Sequence, residues 1–337
     1  MWFYFLIFLF LAFFCIINIR QKKFISWVII VLLALIAGFS GSISKDHDNY
    51  IAAYDQVVSG IYITDISFVL ITRIIDLLFH NSRFMFLTYA ILGVVLKIAG
   101  IKRLTELWFY SMLVYFSLFY FLHEMTQIRA GVAAAFVLLS IPYIQERNLF
   151  KFLICAGIAI FFHFSAFALL PFYFLKNEKV ELWYYFLIPI GYILYFANAN
   201  MALVAKIINV DIITLRYSQI KGMIAQPINI FNVVMISRYL FSAILLWKWK
   251  YLKEKNQYAV LLIKFYILSC FLFIALADVP VVAFRVSELI AIVEIIVIPF
   301  LIYLFRIQWI GKISVVLIAF FFLSMILLHQ KLVLGYF

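Results

Sequence analysis

Residues 121–171 hold the densest group of side chains able to do chemistry. His123-Glu124-Met125-Thr126-Gln127-Ile128-Arg129 precedes one apolar run, and His163-Phe164-Ser165 interrupts a second run that stops near Pro171. A carboxylate or an imidazole in such a place can take a proton from a hydroxyl. Arg129 presents a fork of donors suited to phosphate oxygens and stays charged when desolvated. The bland alternative is an arginine that snorkels to lipid headgroups. The small residues Ala130-Gly131-Val132-Ala133-Ala134-Ala135 that follow permit close helix packing. Gln127 and Glu124 flank the same helix start, and an ionisable group there usually has a partner or a job.

Other clusters carry two readings each. Asp46-His47-Asp48-Asn49-Tyr50, followed by Tyr54-Asp55, is acidic and aromatic. Tyr50 and Tyr54 share a helical face and could form a sugar platform, with Asp48 taking a hydroxyl proton. The same residues suit a solvated outer loop with interfacial tyrosines. His163 alone is more often a packing residue, and Ser165, two positions on, would not share its face on a helix. Arg285 either pairs with Glu288 or serves as a second phosphate clamp. Arg238 and Glu294 lie within apolar runs and are candidate cavity residues. Arg216 falls in an amphipathic stretch, residues 197–227, with Lys206, Asp211 and Lys221. Gly38-Phe39-Ser40-Gly41 reads as a helix end. Cys15, Cys155 and Cys270 read as small hydrophobes, with no disulfide and no metal set.

The elements that position these groups follow from composition. Of 337 residues, 68% are hydrophobic and 12% charged, too apolar for a soluble domain of this length. The fold class expected is all-α, a polytopic integral membrane bundle with roughly 10–12 transmembrane segments and interfacial helices, forming one membrane domain over residues 1–337. Apolar runs cover residues 2–19, 25–41, 84–98, 107–122, 130–144, 152–175, 182–196, 228–247, 258–277, 281–305 and 313–329. Residues 66–79 read as an interfacial or re-entrant helix. The net charge of +12 sits largely in short loops, which directs it to anionic lipid headgroups and away from nucleic acid. The first run has neither a basic leader nor a small-residue cleavage site, and is read as a retained helix.

Lys and Arg in residues 20–23 and 248–255 place those loops in the cytoplasm, and the acidic loop 42–65 outside. Counting forward puts residues 97–106 inside and 123–129 outside. Counting back from 248–255 then requires residues 152–175 to begin and end on the same side. Either that run breaks at His163 and turns back, or one helix is miscounted. Irregular backbone at membrane depth persists only where protein buries it or it lines a wet cavity.

Four pieces together resemble one family. They are Asp48-Asn49-Tyr50 with Tyr54, Gln127-Ile128-Arg129-Ala130-Gly131, Phe162-His163-Phe164-Ser165-Ala166 with Leu170-Pro171, and Phe284-Arg285 before a run ending at Ile298-Pro299. In order and spacing they resemble the bacterial exopolysaccharide polymerases of the EpsG family, and more broadly Wzy-type O-antigen and capsule polymerases. The glycine usual before the first motif is absent, so Asp46 and Asp48 are not told apart.

The resemblance implies a glycosyltransferase of the bacterial inner membrane, working on the periplasmic side without a cofactor or metal. Donor and acceptor would be undecaprenyl-diphosphate-linked oligosaccharides. Arg129 and Arg285 would serve the diphosphate, and Asp48, Glu124 or His163 would be the base. Arg216, Arg238, Tyr50, Tyr54 and Gln127 would complete the substrate contacts. A flippase and a chain-length regulator of the same pathway would be partners, beside membrane lipids. Two other classes remain open: a flippase or transporter, often built from repeated halves that are not visible here, and a transmembrane acyltransferase, which needs an activated histidine.

The topology makes a direct expectation. Cysteines placed at Asn49 and Gln127 should react with an impermeant thiol reagent in cells with a permeable outer barrier, and one at Glu254 should not. Labelling at Glu254 with protection at Gln127 would invert the arrangement.

Overall fold

Regular structure is helical throughout, as hydrocarbon demands of a backbone that must satisfy its own hydrogen bonds. The computed structural model describes residues 2–16, 22–61, 65–197, 228–330 and 332, and no strand forms among them. Exposed positions are themselves apolar, Leu6, Phe13, Val31, Leu77 and Leu317 among them, the surface of a body solvated by lipid. The chain divides into two compact units, Met1–Phe174 with Ile292–Phe337, and Leu175–Ala291. Arg216 and the amphipathic stretch around it lie outside the described residues.

The first unit begins with α1 (Trp2–Ile16), α2 (Lys22–Gly38), α3 (His47–Val58) and α4 (Ile66–Phe79). It continues with α5 (Arg83–Leu104), α6 (Trp108–Leu118), α7 (Ile128–Gln145) and α8 (Leu149–Phe162). Gly38 ends α2, and Gly41 just beyond it has φ +56, a value glycine adopts without penalty. Among the described residues, three helices are long and apolar enough to cross a membrane: α5, α7 and the stretch Gln308–Gln330. The other apolar helices have 10–17 residues. At 14 residues, α4 is about 21 Å long, short of a hydrocarbon core of about 30 Å. α7 lies between α5 and α8, and its small residues Ala133, Ala134 and Ala135 are fully buried.

One buried ion pair fixes the centre of this unit. Lys97 of α5 and Glu124 both have side chains with no exposure, and Lys97 Nζ lies 2.5 Å from Glu124 Oε1. The same ammonium donates to the Gly131 carbonyl at 2.6 Å, and the Tyr115 hydroxyl donates to Glu124 Oε1 at 2.7 Å. Glu124 reaches inward because residues Phe121–Thr126 form a wide π-helical turn, a form that often marks a functional or strained place. Two glycines make room. A Cβ at Gly93 would overlap the Glu124 carboxylate, and one at Gly131 would overlap the His123 carbonyl. This corrects two sequence expectations: Lys97 is no loop charge marking the cytoplasmic side, and Glu124, a candidate base flanking a helix start, is closed off from any substrate. The span that holds Lys97 runs on to Leu104, which carries the lysine to about 10 Å inside the helix end.

The conflict over residues 152–175 resolves as a hairpin. α8 ends at Phe162, His163 is extended (φ −153, ψ 121), and Phe164–Phe174 returns as a 3-10 helix. Both ends of the hairpin meet: Arg147 Nη1 donates to the Tyr173 carbonyl at 2.8 Å, and the Tyr173 hydroxyl donates to the Arg147 carbonyl at 2.8 Å. The run therefore starts and finishes at one end, with His163 at its turn.

The second unit contains a 3-10 turn, Leu182–Tyr185, then α9 (Leu187–Phe196), α10 (Val233–Lys255), α11 (Ala259–Ala275) and α12 (Pro280–Ala291). α11 is its core, packed by α9, α10 and α12. Lys264 is buried, bonded to Glu181 Oε2 at 2.6 Å and the Lys176 carbonyl at 2.7 Å. Asn177 clamps the α10–α11 turn by donating to the Gln257 carbonyl and accepting from the Leu261 amide.

Lys97→Met strands a charged carboxylate in the interior and should cost about 3–5 kcal/mol, while adding Glu124→Leu should recover most of that loss. Melting of the purified protein in detergent checks this. A single variant as stable as the double variant would contradict the role given to the pair.

Candidate functional site

Arg129 is the second residue of α7, set by Gln127, which leaves the helical conformation (φ −105, ψ 58) and ends the π turn. Its guanidinium reaches Asp65, with Nη1 2.7 Å from Oδ2. Asp65 occupies the N-cap position of α4, but its side chain caps nothing (φ −57, ψ 138) and is directed to the arginine. Its negative charge at a helix start is favoured by the α4 dipole. The guanidinium also lies over the rings of Tyr50 and Phe68, at 5.8 and 5.5 Å, which limits its hydration and strengthens its field.

The hairpin turn delivers His163 to the same place. Its Nδ1 lies 3.8 Å from Asp65 Oδ2, and its Nε2 lies 3.4 Å from Ser165 Oγ. The expectation that Ser165 would miss His163 assumed a continuous helix. The extended backbone at His163 removes that assumption and brings the hydroxyl round. His163 is buried, whereas the side chains of Arg129 and Asp65 are 24% and 26% exposed, so a ligand can approach the cation. A cation, a carboxylate and an imidazole thus sit together beside the starts of α4 and α7. This set can bind an anion and accept a proton.

The structure sorts the other expected residues. Tyr50 belongs to this group, its ring tilted against Phe68 and lying under the Arg129 guanidinium. Tyr54 faces away from that role: it is buried and donates to Asp76 Oδ1 at 2.8 Å, tying α3 to α4. Burial, then the Asp76 hydrogen bond, pushes its hydroxyl up to about 12. Asp48 is exposed in the first turn of α3. Glu124 is enclosed with Lys97, and its Oε1 already takes two donors. Of the three bases considered, only His163 stands by Arg129. Gln127 is half-buried and gives its carbonyl to Gly131.

In the second unit, Arg285 is exposed on α12 and Arg238 is half-buried on α10 beside Met235. Glu294 is buried at the start of a short helix, Glu294–Val297, in the first unit. Asp65 is the residue that sequence reasoning missed. It counted only as one acid of an outer loop, although an Asp directly before an apolar periodic run is an N-cap signal.

The EpsG family matches over residues 23–335. The chain belongs to the EpsG family. No curated protein matches it significantly. No solved structure does so either. Membership makes this a membrane protein of polysaccharide-polymerase type. It also places all four resembling motifs, from Asp48 to Pro299, inside the matched region.

With His163 as a general base, a role worth about 100-fold or more, His163→Gln would reduce polymer output strongly. Asp48→Asn, on the exposed turn, should leave it within about twofold. Glycan length and amount in cells at matched protein abundance decide this. Loss with Asp48→Asn and retention with His163→Gln would reverse the assignment.

Proposed function

We propose that this EpsG-family chain elongates glycans carried on undecaprenyl diphosphate, at the outer face of the bacterial cytoplasmic membrane. The observation that supports this most is the grouping of Arg129, Asp65 and His163 at a helix start and a hairpin turn. Bond energy is already stored in the sugar–diphosphate link, so the protein has to position, neutralise and move one proton.

In this reading an acceptor hydroxyl attacks the anomeric carbon of the donor sugar. The carbon–oxygen bond to the diphosphate breaks, and its electron pair leaves on the diphosphate. Arg129, with the positive end of α7, stabilises that growing charge. The acceptor proton passes to His163 Nε2 and then to water, while Asp65, facing Nδ1, orients the ring. Tyr50 offers an aromatic face to the sugar. Arg285 and Arg238 are the second unit's proposed phosphate ligands. A flippase would supply the substrate and a chain-length regulator would set the product.

One observation favours a second reading. Ser165 Oγ, His163 Nε2 and Asp65 Oδ2 form a series of the kind used for acyl transfer to a serine. The 3.4 Å Ser–His separation is long against the roughly 2.6–3.2 Å of an activated nucleophile. Family membership also favours the polymerase.

The cation matters more in the transition state than in the ground state. Arg129→Ala should therefore lose on the order of a hundredfold or more in elongation. Arg129→Lys keeps the charge without the fork and should retain a little activity. Elongation by each variant is compared at matched membrane abundance. Near wild-type elongation by Arg129→Ala would make Arg129 a headgroup anchor and remove it from the mechanism.

A further inference from the structure

Asp65 meets two partners with one oxygen. Oδ2 is 2.7 Å from Arg129 Nη1 and 3.8 Å from His163 Nδ1. The first distance is a charge-assisted hydrogen bond. The second is roughly 0.6 Å beyond the longest normal N–H to O bond. The carboxylate therefore serves the arginine, and the imidazole waits. The proposed mechanism needs the opposite: an arginine open to phosphate and an imidazole held by an acceptor at Nδ1, which would leave Nε2 to accept the proton.

We propose that Asp65 is an exchangeable anion that occupies the Arg129 fork until a diphosphate takes it, and then turns to His163 Nδ1. This rests on the reading of Arg129 as a diphosphate ligand. A diphosphate oxygen carries the same negative charge as the carboxylate and competes for the same donors, with more lone pairs to engage the fork. Both Arg129 and Asp65 are partly exposed, so the incoming anion can reach the pair without unfolding it. The shift asked of the carboxylate is below about 1 Å, within the reach of a side-chain rotation. Asp65 needs no helix-capping bond, since its side chain makes none at α4. The exchange would tie orientation of the base to arrival of the donor, and would leave His163 Nδ1 unengaged while the site is empty. Asp65 is here a positioning residue, and no bond of the substrate is made or broken on it.

The exchange predicts that removing the carboxylate separates binding from turnover. Binding of radiolabelled inorganic diphosphate to the full-length protein in detergent is measured for wild type, Arg129→Gln and Asp65→Asn. Elongation kinetics are measured alongside. Wild type should bind and Arg129→Gln should lose at least about tenfold in affinity. Asp65→Asn should bind about threefold or more tighter, because a competing anion has gone, and its KM should fall. Its kcat should fall about tenfold, because His163 loses its holder.

If Arg129→Gln binds diphosphate as wild type does, the reading of Arg129 falls and the exchange falls with it. If binding depends on Arg129 but Asp65→Asn binds equally or more weakly, the exchange is overturned and the reading of Arg129 stands. Should Asp65→Asn not fold, Asp65→Ser repeats the comparison with room for a water. Failure of both to fold makes the pair a structural one and overturns the exchange.

Discussion

A lysine and a glutamate, both without exposure, meet at 2.5 Å inside an apolar bundle, and much of the first unit is arranged around them. Such a pair is tolerated only when its geometry is good and its remaining bonding capacity is used. Lys97 meets that condition by binding a backbone carbonyl as well as a carboxylate; Glu124 meets it at Oε1, which also accepts from Tyr115, while its Oε2 is buried without a hydrogen-bond partner among the described residues. The carbonyl belongs to Gly131, two residues beyond Arg129. The pair thus ties α5 to the π turn and to the opening turn of α7. It fixes where α7 begins, and so where Arg129 stands.

The second constraint is the return of the chain at His163. A 3-10 helix rises about 2 Å per residue, so the segment Phe164–Phe174 can retrace α8 with fewer residues than α8 itself uses. The mutual bonds between Arg147 and Tyr173 close that hairpin at its base. With α7 held by Lys97 and α8 packed on α7, the turn brings an imidazole to the arginine. Proximity of charge and base is thus a product of two buried backbone irregularities, a π turn and an extended residue.

Some of this was legible in the sequence. Composition gave the helical membrane class, and the start of α7 was evident from the small residues after Arg129. The α4 boundaries followed from the ends of its apolar segment. The break at His163 was one of two solutions to a charge count that did not close. What stayed hidden was long-range pairing. Lys97 looked like a loop cation because the apolar run ends near it. Its partner, 27 positions on, is reached only through a turn wider than an α-helix, and no periodicity announces such a turn. Asp65 lay in an acidic loop where charge alone did not distinguish it. Ser165 was set aside on helical spacing, which fails where the backbone is extended.

The central claim is that the Arg129–Asp65–His163 group lengthens a glycan on a lipid diphosphate. The most direct measurement incubates the purified protein in liposomes with undecaprenyl-diphosphate-linked repeat units and resolves the products by size. The account predicts a ladder of longer glycans with release of undecaprenyl diphosphate. Movement of the repeat unit across the bilayer without lengthening, or transfer of an acyl group to it, would contradict the account.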